Sequence, residues 1–176
     1  MQSRHVSMDE MRSRVAVFAE QTPSARPLID AVLPQYQREI FTIIGGGVLE
    51  DPNVKPPITV VEGFHLSIVR AGPGMGTGLH NHKTVEVFMP LTGRWSVQWN
   101  DDGQSTLTLG PYDVVSVPVG VMRGFRNESD ETALLLVVVG GTDPGQVDWT
   151  PSVLEAAALR GFVRDASGSI TTKLAP

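Results

Sequence analysis

Three side chains in the stretch LHNHKTVE have the types and spacing to share one metal ion: the imidazoles of His80 and His82 and the carboxylate of Glu86. Residues of equal parity point to one side of an unbulged strand, so a strand running on through Lys83 and Thr84 projects all three together. Two imidazoles and a carboxylate suit ferrous iron and also accept manganese, nickel or zinc, leaving coordination positions open for substrate or oxygen. The plainer alternative is a strand with hydrogen-bonded histidines and a solvated glutamate. With no cysteine in the chain, thiolate ligands and disulfides are excluded, and any metal takes nitrogen and oxygen donors.

What must position these groups is a set of short strands. From about residue 41 to 140, runs rich in Val, Thr, Ile, Phe and Trp alternate with Gly, Pro, Asn and Asp clusters: FTII, ITVV, HLSIVRA, TVEVFMPL, RWSVQWN, STLTL, DVVSVPV, RGFRN and ALLLVVV. Strands so short and regular, with no helices between them, predict an antiparallel sandwich or barrel. RWSVQW, the turn NDDG and QSTLTL form the clearest hairpin, with Trp95, Val97 and Trp99 on one face. Residues 1–40 read as an N-terminal arm in which the proline-bracketed PLIDAVLPQY docks as a short helix. Residues 41–142 form the barrel, and residues 143–176 a tail with a helix near 151–160, capped by Thr150 and ended by Gly161. GPGMGTG lacks the lysine and the following helix of a phosphate loop and reads as a flexible approach to the barrel mouth.

The spacing Gly74, five residues, His80, one, His82, three, Glu86, six, Gly93 matches the first motif of the cupin superfamily, G-x5-H-x-H-x3-E-x6-G. YDVVSVPVGVMRGFRN is similar to the second, G-x5-P-x-G-x2-H-x3-N, with Pro118, Gly120 and Asn127 in register. Two positions depart: Tyr112 stands at the usual glycine, and Arg123 at the remaining metal-binding histidine. The resemblance implies an all-β jelly-roll barrel, often a homodimer, with His80, His82 and Glu86 as ligands to iron, manganese, nickel or zinc. It leaves the reaction open, because cupins include dioxygenases, decarboxylases, sugar isomerases and epimerases, and non-catalytic binding modules.

Arginine does not deprotonate to become a ligand, so Arg123 changes the site. Three arrangements compete: a metal on His80, His82 and Glu86 with Arg123 clamping an anionic substrate group; an Arg123–Glu86 ion pair without metal; or a displaced strand with Arg123 on the surface. His65 is a candidate replacement ligand, against the plainer role of a satisfied core histidine. Parity places Phe88, Trp95 and Phe125 with Arg123 as candidate substrate-binding walls, although core filling explains the aromatics equally.

The preferred expectation is a cupin that binds a divalent metal and acts on a small anionic or enolizable organic substrate, as a dioxygenase in its most specific form, with Glu86 also serving as catalytic base. Its rival is a metal-free sensing or binding cupin in which Arg123 anchors an anionic ligand; a sugar isomerase or epimerase is a weaker third. The formal charge of −5 and scattered basic residues argue against a nucleic-acid partner. With neither an apolar run of membrane-spanning length nor a signal-like N-terminus, no membrane partner is expected, and the expected location is cytoplasmic.

Overall fold

A computed structural model describes residues 3–173. In chain order, α1 (Met8–Arg12) and three 3-10 turns (Phe18–Glu20, Ile29–Val32 and Pro34–Tyr36) lead into β1 (Glu39–Ile44) and β2 (Phe64–Ala71). Then come β3 (His80–Asn81), β4 (Glu86–Pro90), β5 (Trp95–Trp99), β6 (Ser105–Leu109), β7 (Val115–Val117), β8 (Arg123–Asn127) and β9 (Ala133–Gly140). The tail adds β10 (Asp148–Trp149), α2 (Pro151–Leu159), β11 (Phe162–Arg164) and β12 (Ile170–Thr172). Among the described residues no helix is long and apolar enough to cross a membrane.

Two five-stranded sheets carry the site, ordered β1-β2-β9-β4-β7 and β10-β3-β8-β5-β6, and every strand pair in them is antiparallel. This is the antiparallel all-β architecture that the strand pattern predicts and the jelly roll that the motif resemblance implies, and the short C-terminal helix is present as well. Strand β9 shows why the sheets face each other. Ala133, Leu135, Val137 and Val139 are buried while the residues between them are half-exposed, so one face of ALLLVVVG is committed to the core. Phe88, Trp95 and Leu135 are fully buried at its centre.

Three local expectations change. ITVV is not a strand: Pro56 and Pro57 deny the preceding backbone its donors, and only Ile58 makes an isolated bridge to Ile44. PLIDAVLPQY forms two 3-10 turns rather than one continuous short helix, because Pro34 halts the first turn. Ile29, Asp30 and Ala31 there are buried, so this part of the arm completes the core. The glycine-rich GPGMGTG is pinned rather than free: a Cβ at Gly76 would lie 1.8 Å from the Phe125 carbonyl oxygen, so only glycine fits against β8.

The departure at Tyr112 is also legible. Its φ of +70° lies in the left-handed region, as do Gly74 and Gly93 at the ends of the first motif. The turn demands that conformation, and tyrosine accepts it at a cost of about 1–2 kcal/mol where glycine would not.

Candidate functional site

His80, His82, Glu86 and Arg123 converge, but not along one strand. His80 lies on β3 and Glu86 on β4, which belong to opposite sheets, while His82 sits in the corner joining them. The parity argument therefore reaches the right residues for the wrong reason. The chain breaks at residues 82–85, and convergence comes from two facing sheets. Arg123 enters from β8 directly opposite His80, its register partner. All four side chains are buried.

Glycine and the arm set the histidines. The carboxylate of Asp30, fully buried, accepts from the Gly78 N–H at 2.9 Å and the Thr77 hydroxyl at 2.7 Å. Gly78 in turn accepts from His80 Nδ1 at 2.9 Å. A carbonyl only accepts, so His80 carries its proton on Nδ1 and its Nε2 keeps a lone pair for which the described residues supply no partner. Arg38 closes this arrangement with a bidentate pair to Asp30, at 2.9 and 3.0 Å.

Arg123 uses all three nitrogens on protein groups. Nε donates to Glu86 Oε2 at 2.8 Å, Nη2 donates to His82 Nε2, and Nη1 donates to the carbonyls of Val121 at 3.3 Å and His80 at 3.5 Å. His82 Nε2 thus acts as acceptor, with Nδ1 facing the Thr84 hydroxyl at 3.3 Å. Of the three arrangements open to the sequence, the structure contains the buried Arg123–Glu86 ion pair; the displaced-strand arrangement is absent.

The electrostatics follow. Burial pushes the Glu86 carboxyl up, but its polar and charged neighbours, His82 and Arg123 foremost, outweigh it and hold the carboxyl at about 2. Burial and then Arg123 push His80 down to about 4, against the pull of Glu86, so it is neutral near pH 7. Unfolded His80 regains its ordinary value of 6.5 and takes up a proton first, so stability falls as pH drops from 6.5 to about 4. That loss is on the order of 3 kcal/mol, at ~1.4 kcal/mol per pH unit. The Glu86 contribution, present above its ordinary 4.5, is lost as pH falls further through about 2. Urea unfolding at pH 7, 5.5 and 4 should show the decline, with His80→Asn flattening it between 6.5 and 4.

Beside the cluster lies a cavity of about 50 Å³ whose wall includes His80, Glu86, Phe125, Val137 and Val139. Of the aromatic residues assigned to the substrate wall, only Phe125 lines it. Phe88 and Trp95 stand behind, with their rings 5.3 and 5.8 Å from that of Phe125, and serve as core. Arg123 likewise backs the cluster instead of facing the cavity. His65 does line it, but both its nitrogens are committed to backbone: Nδ1 accepts from Gly47 N–H at 3.0 Å and Nε2 donates to Thr142 O at 3.3 Å. It is no spare ligand.

Could the cluster hold a metal? Its donor atoms lie within 4.8 Å of one another, close to the ~4 Å spread around one ion bound at about 2.1 Å, so the His-His-Glu group is positioned to bind one. The obstacle is Arg123, whose N–H groups point at the same His82 and Glu86 lone pairs an ion would need. With the guanidinium seated there, the group does not fit a cation.

Residues 67–139 match a family model described as a cupin domain. No curated protein matches the chain. Among solved structures, peruvianin-I, a cysteine peptidase from Thevetia peruviana latex, aligns with a TM-score of 0.59 and 17% identity, covering 82% of each chain. Oxalate decarboxylase from Lactobacillus farciminis aligns at 0.57 and 17%, over 78% of this chain but 36% of that one. The polyketide cyclase RemF from Streptomyces resistomycificus aligns at 0.56 and 16%, over 77% and 84%. Three such different names on one architecture carry the fold and leave the reaction open.

Proposed function

Because residues 67–139 set this chain in the cupin superfamily, we propose that it binds a compact organic molecule in the barrel cavity, with the Arg123 guanidinium taking the place of a divalent cation between His82 and Glu86. The observation that supports this reading is the fully engaged guanidinium, bonded to Glu86 Oε2 at 2.8 Å and to His82 Nε2. A divalent ion ~4 Å from that charge would be repelled by about 8 kcal/mol at an effective dielectric near 20. Held near 2, Glu86 is a weak proton acceptor, which favours binding over base catalysis at this carboxylate. What the cluster offers a ligand is acceptors, His80 Nε2 and Glu86.

A second reading keeps the metal, favoured by the close approach of the three donors. If Arg123 withdraws, His80, His82 and Glu86 would hold iron, manganese, nickel or zinc. The ion would supply Lewis-acid or redox chemistry toward an anionic or enolizable substrate, including the dioxygenase type. Elemental analysis of tag-free protein, dialysed against each metal and then buffer, separates the two. The guanidinium reading expects well under one equivalent bound; stoichiometric metal on the wild-type chain overturns it.

A further inference from the structure

The two sheets differ on their outer faces. Across β5, β6 and β8 the outward residues are polar: Ser96 pairs with Thr108 and Arg126, and Gln98 with Thr106. On the other sheet they are apolar. Phe41, Ile68, Leu136 and Met89 are register neighbours across β1, β2, β9 and β4, and Leu66, Val138 and Val87 form a second row beside them. Val69, Leu135, Val137 and Phe88, one position along the same strands, are the buried residues that face the core, so both rows point away from it. All but Phe41 are only half-buried. An antiparallel sheet with a solvated face alternates apolar-in with polar-out, and ALLLVVV is apolar on both sides, the pattern of a sheet that is covered twice.

The N-terminal arm begins that cover. Phe18 lies against Phe41 with ring centroids 4.7 Å apart, and Arg14 bonds Glu62, just ahead of β2, at 2.8 Å, so the arm follows the rim of this face. It adds more apolar surface than it hides. Val6, Met8, Met11, Val15 and Val17 are 43–67% exposed, and neither α1 nor the first 3-10 turn buries a residue.

Size and charge select the occupant. At ~4.8 Å between strands and ~3.3 Å per residue the sheet face covers about 500 Å². The exposed side chains of the arm raise this toward the ~800 Å² that each partner contributes to a stable interface. The charged residues on the face, Glu39 and Arg70, bond each other at 2.6 Å, as Arg14 and Glu62 do at the rim, so no net charge selects a partner of opposite sign. A flat, neutral, apolar sheet is complementary to a copy of itself, which a two-fold interface requires, and sheets stack this way at ~10 Å. We propose that this face, extended by residues 6–18 of the arm, is the interface of a homodimer. It lies outside the barrel and is independent of what the cavity binds.

Light scattering at tens of micromolar protein should give twice the 19.0 kDa of one chain. Leu136→Glu, which puts a charge at the middle of the face, should raise the dissociation constant at least a hundredfold and leave a folded monomer. Because the natural chain has no cysteine, single-cysteine variants supply a second measurement that needs no disruptive change. Treated with a short bis-maleimide, Met89→Cys and Val138→Cys should give covalent dimers, and Thr106→Cys and Thr108→Cys on the polar face should stay monomeric on a denaturing gel. A monomeric wild type overturns the proposal, whatever else the face binds. So does a dimer that crosslinks through the polar face or through neither face, or one that persists in folded Leu136→Glu.

Discussion

Asp30→Ala should be among the most destabilising single substitutions in the chain, at about 3–5 kcal/mol, the range for breaking one side of a buried ion pair. For a chain of this length that corresponds to a melting temperature lower by roughly 10 °C. The pair is shielded completely, with side-chain exposures of 0% for Asp30 and 1% for Arg38. Removing the carboxylate strands the Arg38 charge and also releases the Thr77 hydroxyl and Gly78 N–H. Because Gly78 carries the carbonyl that orients His80, the damage reaches the site as well. Asp30→Asn should cost less, since an amide oxygen can keep part of the bonding, and Asp30→Ala with Arg38→Met should recover part of the loss by removing the orphaned charge. Urea unfolding of the four proteins measures all of this. A double variant no more stable than Asp30→Ala would mean that the lost backbone bonds, and not the charge, dominate.

Asp30 is also where reading the sequence falls short. Strands were legible from local composition: STLTL and ALLLVVV alternate in burial, RGFRN is buried on both faces, and all three sit where composition predicts, while His80, His82, Glu86 and Arg123 follow from motif spacing. Neither Asp30 nor Arg38 belongs to a motif, and Thr77 lies 47 positions from its Asp30 partner. One signal was present, an acid inside the apolar run PLIDAVLP, since a carboxylate on a docking face needs a buried partner. The choice between metal and ion pair was not legible at all, because it depends on where a long side chain ends and not on which residue occupies the position. The buried Thr42 hydroxyl, which no described residue bonds, was invisible for the reverse reason: a threonine in FTII is ordinary for a strand, and only the cavity makes its hydroxyl unusual.

Arg123→His should convert the cluster into a tight metal site. It removes the guanidinium whose N–H groups occupy His82 and Glu86, and it adds a third imidazole at the position opposite His80. In the metal-free variant Glu86 loses its cation, so the protein should be less stable than wild type by about 3–5 kcal/mol. Zinc should then reverse much of that loss, by about 2.7 kcal/mol once free metal exceeds the dissociation constant a hundredfold. Wild type should show little or no zinc-dependent rise in melting temperature, and Arg123→Ala a smaller one, because three donors remain without the fourth. The comparison separates charge from ligand count. Equal shifts in Arg123→His and Arg123→Ala would mean that removing the positive charge alone opens the site. If wild type shifts as far as Arg123→His, the guanidinium yields readily to a cation, and the metal-dependent reading with its open coordination positions becomes the stronger account of this barrel.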